Sequence, residues 1–151
     1  MAVGDVERTF VFLKPEAVRR GLIGEILMRI EKKGLRIRAL RLYRMTRQEA
    51  EELYAPHKGK EFFERLVEHV ISGPILLMVI EGPGAIRAMR QLIGATDPLE
   101  AVPGSIRGDY GLNITANIIH AADSPENAER EMRIFFKDEE IDAMWRGVEE
   151  A

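Results

Sequence analysis

Two apolar runs constrain the fold of this chain more than any other feature of its sequence. Residues Arg8 to Lys14 read RTFVFLK, and residues Pro74 to Gly82 read PILLMVIEG. Apolar residues at consecutive positions, rather than at every second position, are typical of strands buried on both faces. The first run therefore predicts a strand of this kind, and the second predicts a central strand of the same sheet.

The rest of the chain carries alternating helical and extended patterns. Helical spacing or a helix-start signal marks 22–34, 46–54, 61–72, 84–94 and 124–136, and extended patterns mark 35–43 and 117–121. A phase slip at Ala39 and Leu40 predicts a β-bulge. The order of these segments predicts an α+β fold, an α/β sandwich in which helices cover one face of a four-stranded sheet. We expect residues 1–151 to form one domain.

Composition and charge argue against several classes of protein. The chain has a net charge of −3, whereas dedicated nucleic-acid binders usually carry a basic excess. It has no cysteine, which excludes disulfides and thiolate metal sites. No apolar run approaches the ~20 residues of a membrane span, and the opening residues lack a signal-peptide pattern. We therefore expect a cytoplasmic protein without a specific nucleic-acid or membrane partner.

A histidine stands at the end of a short apolar run, just before a helix-start signal, in NIIHAADSPENAERE. This residue is His120, and Glu131 follows at the edge of the apolar face of the helix, where it could turn back toward the strand. A carboxylate on one imidazole nitrogen fixes the tautomer and leaves the other nitrogen available for attack. From these residues alone, His120 is either a nucleophile or an ordinary histidine that is hydrogen-bonded inside the fold.

Three cations lie beside irregular backbone. Lys14 ends the first buried strand, Arg90 precedes a long stretch rich in proline and glycine, and Arg107 lies within that stretch. Arginine and lysine both bind phosphate oxygens, and their attraction is several times stronger in a partly enclosed cleft than in water. Thr96 could also bind phosphate, or it could serve as a turn residue. Taken singly, each cation is equally compatible with a solvated or ion-paired side chain.

Adjacent aromatic residues begin one of the predicted helices. Phe62 and Phe63 point ~100° apart on a helix, so they cannot both face the same part of the core. Either one of them covers a flat ligand such as a nucleotide base, or both are partly buried by packing. His57 and His69 are expected at the surface or hydrogen-bonded within the fold. The chain contains no HExxH, Walker or GxGxxG pattern.

Taken together, four segments resemble the nucleoside diphosphate kinase family. They are ERTFVFLKPEAVRRGLIGEI, FFERLVEHVISGPILLMVIEG, RQLIGATDPLEAVPGSIRGDYG and NIIHAAD with SPENAERE. They occur in the family's order and cover essentially the whole chain. The resemblance implies a ferredoxin-like four-stranded antiparallel sheet with helices packed over it, in homohexamers or tetramers. It also implies transfer of the γ-phosphoryl group of ATP or another nucleoside triphosphate to a nucleoside diphosphate, by a ping-pong mechanism through phosphohistidine.

The resemblance also implies a role for each of ten residues. His120 would accept the phosphoryl group, and Glu131 would orient its ring. The others would hold the nucleotide: Lys14 and Asn117 at the ribose hydroxyl and nearby phosphate oxygens, Arg90, Thr96 and Arg107 at the phosphates, Phe62 and Ile114 on the base, and Tyr54 beside the transferred phosphate. Mg²⁺ would enter on the nucleotide phosphates rather than bind to protein ligands.

The sequence departs from the family's pattern at three places. HAAD stands where the family commonly has HGSD, so Ala122 cannot donate a hydroxyl hydrogen bond that would help to hold Glu131. KPEA stands where the family often has KPDG, and Ala17 requires a negative φ to be unstrained. ITAN replaces a stretch that often contains Gly-Arg, which removes one cation near the ribose.

A second hypothesis is a non-catalytic nucleotide-sensing or RNA-binding module on the same fold. RNA readers of this shape stack bases on exposed aromatic residues of the sheet. The strand PILLMVI contains no aromatic residue. The enzyme is therefore the preferred hypothesis.

Overall fold

The computed structural model describes residues 6–148 of the chain as a four-stranded sheet with helices. The elements in chain order are β1 (Val6–Leu13), α1 (Pro15–Arg19), α2 (Ile23–Lys33), β2 (Arg36–Tyr43), α3 (Arg47–Leu53), a 3₁₀ turn (Ala55–His57), α4 (Phe63–Val70), β3 (Ile75–Pro83), α5 (Ala85–Ile93), α6 (Ile106–Tyr110), β4 (Ile119–Ala121), α7 (Pro125–Phe135) and α8 (Asp138–Trp145). No helix among the described residues is long and apolar enough to cross a membrane.

The strands are arranged in the order β2-β3-β1-β4, and every neighbouring pair is antiparallel. The two apolar runs form β1 and β3, which occupy the centre of the sheet and pair along their whole lengths, from Val6 opposite Pro83 to Leu13 opposite Leu76. The predicted antiparallel sheet and the central position of β3 are confirmed.

Helices cover both faces of this sheet, so the prediction that they cover one face is wrong. Val11 and Met78 belong to a buried cluster with residues of α2 and α5. Their neighbours Phe12 and Leu77 point the other way, into a cluster with residues of α3, α4 and α7. The physical reason lies in the apolar runs themselves, because a strand that is apolar at every position exposes hydrocarbon to water unless both faces are covered.

Several local predictions are confirmed, and others need correction. Gly34 ends α2 in the left-handed conformation at φ 100°. The bulge in β2 lies between Ile37 and Ala39, slightly earlier than predicted. Ser124 caps α7 through a hydrogen bond from the Asn127 amide, so Ser124 is the cap rather than the alternative, Asp123. The short helix α6 and the final helix α8 were not predicted.

Candidate active site

One cavity of about 420 Å³ is lined by all ten of the residues that the sequence singles out. Four of them come from β4, α5, α6 and α7, and the other six come from the segments that connect the elements. Residues more than a hundred positions apart in the chain therefore meet around one volume, which is within the usual size range of small-molecule sites. The shared location is a structural finding, and the role of each residue remains a prediction.

His120 lies in β4, and its ring faces the cavity. Strand pairing sets it opposite Phe12 of β1, and the two rings stack with their centroids 5.0 Å apart. The Nε2 atom of His120 lies 2.7 Å from Oε1 of Glu131. The side chain is about one-fifth exposed, at 21%. An imidazole in this setting is fixed in orientation while its other nitrogen, Nδ1, has no partner within the described residues.

Glu131 is buried beneath this histidine, and its side chain is only 6% exposed. Ala122 offers it no hydroxyl group. On the other side of the carboxylate, an Arg130 amino group lies 3.6 Å from Oε2. The same guanidinium donates to the backbone carbonyls of Glu52 and Leu53, so it is fixed in place. Arg130 therefore supplies a charged neighbour that sequence analysis did not identify.

The three predicted cations also lie on the cavity wall, and none forms an ion pair with a carboxylate of residues 6–148. Lys14 is buried and donates to the Thr115 carbonyl at 3.2 Å. Arg90 donates to the Ala121 carbonyl at 3.0 Å. The side chain of Arg107 donates to the backbone carbonyls of Asn117, Gly94 and Ile119.

Burial makes the charged forms of Lys14 and Arg107 energetically unfavourable. Loss of water around the Lys14 ammonium lowers its pKa to about 8, despite the attraction of Glu16 and with a further decrease from Arg107. Burial and then the neighbouring Arg90 lower the pKa of Arg107 to about 10. Buried cations without carboxylate partners are destabilising by themselves. The cavity is therefore suited to an anionic ligand that would compensate them.

Asn117 presents an unsatisfied acceptor at the same place. Its amide nitrogen donates to the Thr96 carbonyl at 2.8 Å, which fixes the side chain. Its Oδ1 atom is buried and has no hydrogen-bond partner among the described residues. Buried acceptors are normally paired. A hydroxyl donor of a ligand would satisfy this one.

Apolar and uncharged side chains complete the cavity wall. Phe62 caps the start of α4 and is half-buried, and Ile114 is 53% exposed on the loop before β4. Tyr54 ends α3 and is buried, and burial, followed by the charges of Glu131 and Glu16, raises the pKa of its hydroxyl. Thr96 is exposed on the long connection. A planar ligand could therefore lie against Phe62 while its anionic part reaches the cations.

Several lining residues were missed by the sequence analysis, including His57, Arg65, Asp123 and Arg130. Arg65 lies three positions after Phe62 and therefore shares its helix face. It donates to the hydroxyl of Thr115 at 3.1 Å, which ties α4 to the loop before β4. The three-residue spacing between Phe62 and Arg65 could therefore have identified Arg65 from the sequence. Arg130 carried no comparable signal, because nothing in the sequence indicates that it approaches the end of α3.

Two questions raised by the sequence have clear structural answers. His69 is satisfied within the fold, with its Nε2 atom 2.7 Å from Oε1 of Glu16. Ala17 lies inside α1 and has a negative φ, because Ile118 is the only non-glycine residue with a positive φ in the described part of the chain. The alanine is therefore accommodated without backbone strain.

A family model described as nucleoside diphosphate kinase matches residues 7–141. A relative of that name from Staphylothermus marinus is 56% identical over 137 residues, which cover 91% of this chain and 97% of the relative. The chain belongs to the nucleoside diphosphate kinase family.

Solved structures agree with this assignment. A nucleoside diphosphate kinase from Halobacterium salinarum, in complex with CDP, matches with a TM-score of 0.87 and 48% identity over 90% of this chain and 91% of that one. The Aquifex aeolicus kinase matches with a TM-score of 0.88 and 42% identity over 90% and 99%. The predicted ferredoxin-like fold and phosphotransferase activity of the nucleoside diphosphate kinase family are confirmed, and the non-catalytic alternative is not supported.

Proposed function

We propose that the ten cavity residues carry out ping-pong phosphoryl transfer between nucleotides, with His120 as the phosphate carrier. The observation that carries this proposal is the pairing of His120 Nε2 with the buried Glu131 carboxylate, inside a cavity where Lys14, Arg90 and Arg107 form no ion pair with a carboxylate of residues 6–148. The tautomer that this pair favours has a proton on Nε2 and a lone pair on Nδ1. Nδ1 is then the nucleophilic atom.

The first half-reaction forms a bond between Nδ1 of His120 and the γ-phosphorus of a nucleoside triphosphate. The bond from that phosphorus to the β–γ bridging oxygen breaks, and the nucleoside diphosphate leaves with the electron pair. The Nε2 proton remains in its hydrogen bond to Glu131, which stabilises the positive charge on the ring. The second half-reaction reverses these steps with a different nucleoside diphosphate, so no phosphoryl group is lost to water.

The remaining residues position the nucleotide along the cavity. Arg90, Arg107 and Thr96 hold the phosphates, and Tyr54 lies beside the transferred group. Lys14 and Asn117 bind the ribose hydroxyl and nearby phosphate oxygens, and the hydroxyl would satisfy the unpaired Oδ1 of Asn117.

We assign the base to the part of the cavity between Phe62 and Ile114. Contact with an aromatic face and an aliphatic side chain distinguishes poorly between bases. The proposed substrates are therefore nucleoside diphosphates and triphosphates in general, rather than one nucleotide.

Mg²⁺ fits this site as a companion of the nucleotide. No group of three or more His, Cys, Asp or Glu side chains within residues 6–148 is arranged to hold a metal ion. Of the carboxylates that line the cavity, Glu131 is engaged by His120, and Asp123 accepts from the Asn127 side-chain amide through Oδ1, so its Oδ2 atom would face the metal's hydration shell. The ion would neutralise phosphate charge when bound.

We further propose that residues 1–151 act as one cytoplasmic domain that assembles into homohexamers, with a tetramer as the alternative. Large apolar side chains exposed on this chain support association, among them Leu42 at 61%, Leu99 at 77% and Leu112 at 76%. Such surfaces are typical of protein–protein contacts.

Labelling with γ-³²P ATP in the absence of an acceptor tests the assignment of His120. We expect the wild type to acquire an acid-labile, alkali-stable label, because a phosphoramidate bond to imidazole has that stability. His120→Ala should remove the label and nucleotide exchange together. Addition of GDP to the labelled wild type should release the label as GTP.

The matched control is His57→Ala, because His57 is the other histidine that lines the cavity. This variant should keep the acid-labile label. Retention of label in His120→Ala, or its loss only in His57→Ala, would show that a different residue carries the phosphoryl group.

A further inference from the structure

Ile118, two residues before His120, has a backbone conformation that is unfavourable for its residue type. Its φ is 79°, and it is the only non-glycine residue with positive φ in the described part of the chain. A β-branched side chain is rarely found in this region, because the conformation is energetically unfavourable for it. The neighbouring structure must therefore hold this peptide in place.

The segment after β1 forms hydrogen bonds to both backbone groups of Ile118. The Lys14 amide donates to the Ile118 carbonyl at 2.9 Å. Oε2 of Glu16 accepts from the Ile118 amide, also at 2.9 Å. Both backbone groups of the strained residue are thus bonded to one short stretch of chain, more than a hundred positions earlier in the sequence.

Glu16 is itself fixed by a second helix. Glu16 is only 7% exposed. The other oxygen of its carboxylate, Oε1, lies 2.7 Å from Nε2 of His69 in α4. Burial alone would raise the pKa of this carboxyl, but the hydrogen bonds from His69 and from the Ile118 amide hold the pKa below its ordinary value. Glu16 is therefore a buried carboxylate with a defined partner on each oxygen.

The peptide that Glu16 holds leads directly to a predicted ligand-binding group. Asn117 immediately precedes Ile118, and its Oδ1 atom is the buried, unpaired acceptor in the cavity. His120 is less dependent on this contact, because it is held by strand pairing to Phe12 and by Glu131.

We infer that Glu16, anchored by His69, is a positioning residue that keeps the Asn117–Ile118 peptide in its nucleotide-binding conformation. It does not contact substrate and acts through the backbone. The pair joins α4, which carries Phe62 at its start, to the strand that carries His120. This inference rests on the proposed function, since it assigns Asn117 to the nucleotide.

The test is a set of variants assayed for KM and kcat. Glu16→Leu removes both carboxylate oxygens and replaces the side chain with one of similar volume. We expect KM for nucleotides to rise about tenfold and kcat to change less than threefold, because Asn117 moves while His120 stays in its strand. Glu16→Gln keeps one acceptor for the Ile118 amide and should stay within about threefold of wild type. Glu31→Leu, an exposed carboxylate at the end of α2, is the matched control and should leave both constants unchanged.

A second substitution distinguishes positioning from a general structural role. Ile118→Gly removes the penalty for positive φ, since glycine adopts this conformation readily. In that background, Glu16→Leu should change KM by less than threefold. An equal tenfold effect in both backgrounds, or no effect on KM in either, would overturn the inference.

Folding is checked by circular dichroism for every variant. If Glu16→Leu does not fold, His69→Phe provides the same comparison, with a rise in KM of about threefold that disappears in the Ile118→Gly background. An unchanged KM in His69→Phe would then overturn the inference. Failure of the wild type to form phosphohistidine would instead contradict the proposed function, so the two outcomes are distinguishable.

Discussion

At the scale of the residue, Lys14 is the group whose behaviour depends most on the fold. Its sequence position, at the end of an apolar strand, predicts a cation beside irregular backbone. Only the folded structure buries it to 5% exposure and surrounds it with Arg107, Glu16 and the Thr115 carbonyl. Burial lowers its pKa to about 8, so its charge becomes sensitive to pH in a range where an exposed lysine would remain charged.

This lowered pKa predicts a decline in nucleotide capture at mildly alkaline pH. Lys14 is protonated below about pH 8 and loses its charge above it. Since kcat/KM reports the ionisation of the unliganded enzyme, it should fall about tenfold per pH unit above that point. Lys14→Met should have a lower kcat/KM at every pH and should lack this inflection. A wild-type profile that stays flat to pH 9.5 would contradict the assignment.

The same group makes a contribution of opposite sign to the pH dependence of stability. The unfolded chain binds the Lys14 proton more tightly than the folded chain, because the folded pKa is about 8 and the ordinary value is 10.5. As the pH rises from about 8 to 10.5, this group therefore increasingly favours the folded state. Activity and stability should thus respond in opposite directions to the deprotonation of Lys14.

At the scale of the element, the connection between α5 and β4 shows why a long loop can be as well defined as a helix. Arg107 lies in the short helix α6 within it, and Ser105 caps this helix by accepting from the Gly108 amide. Gly108 has no space for a side chain, because a Cβ atom would overlap the Val102 carbonyl and lie 2.8 Å from Oγ of Ser105. Close packing around one glycine thus fixes the position of the neighbouring arginine.

Gly108→Ala should therefore disrupt both the loop and the phosphate site. We expect it to lower the free energy of unfolding by about 1–3 kcal/mol through overpacking. It should also raise KM for nucleotides, because Arg107 is displaced. Urea unfolding and steady-state kinetics provide the two measurements.

Gly24→Ala is the matched control, because Gly24 lies in α2 and a Cβ atom there would meet nothing within 4 Å. Glycine is less favourable than alanine in a helix by roughly 0.5–1 kcal/mol, so this variant should be neutral or slightly more stable. An equal loss of stability in Gly24→Ala would contradict this account, because a methyl group at Gly24 meets no neighbouring atom.

At the scale of the whole molecule, several large apolar side chains are exposed on the described part of the chain. Leu40 and Leu42 project from β2, a strand at one edge of the sheet, and Leu99, Val102 and Leu112 are exposed in the connection between α5 and β4. Burying each of these side chains in a contact would contribute about 1.5–3 kcal/mol.

Sedimentation velocity across a range of protein concentrations tests the proposed assembly. We expect a single species of six times the 17.1 kDa chain mass that persists on dilution to low micromolar concentration. A stable species of four times that mass would establish the tetramer instead. A monomer at all concentrations would contradict both forms of the proposal.

Sequence patterns alone identified most of the helices and strands and the chemistry that they could support. Apolar runs fixed β1 and β3, a capping box at Thr46 and Glu49 fixed the start of α3, and the family's motifs pointed to all ten residues that line the cavity. The strand and helix signals can be read from the sequence because hydrophobic periodicity and capping hydrogen bonds involve residues only a few positions apart.

The way these parts meet depends on tertiary packing. It placed helices on both faces of the sheet, brought Arg130 to Glu131 and His69 to Glu16, and set the strained peptide of Ile118 between Lys14 and Glu16. Such contacts join residues far apart in the chain, and their energies arise from burial and desolvation, which exist only after the chain has packed.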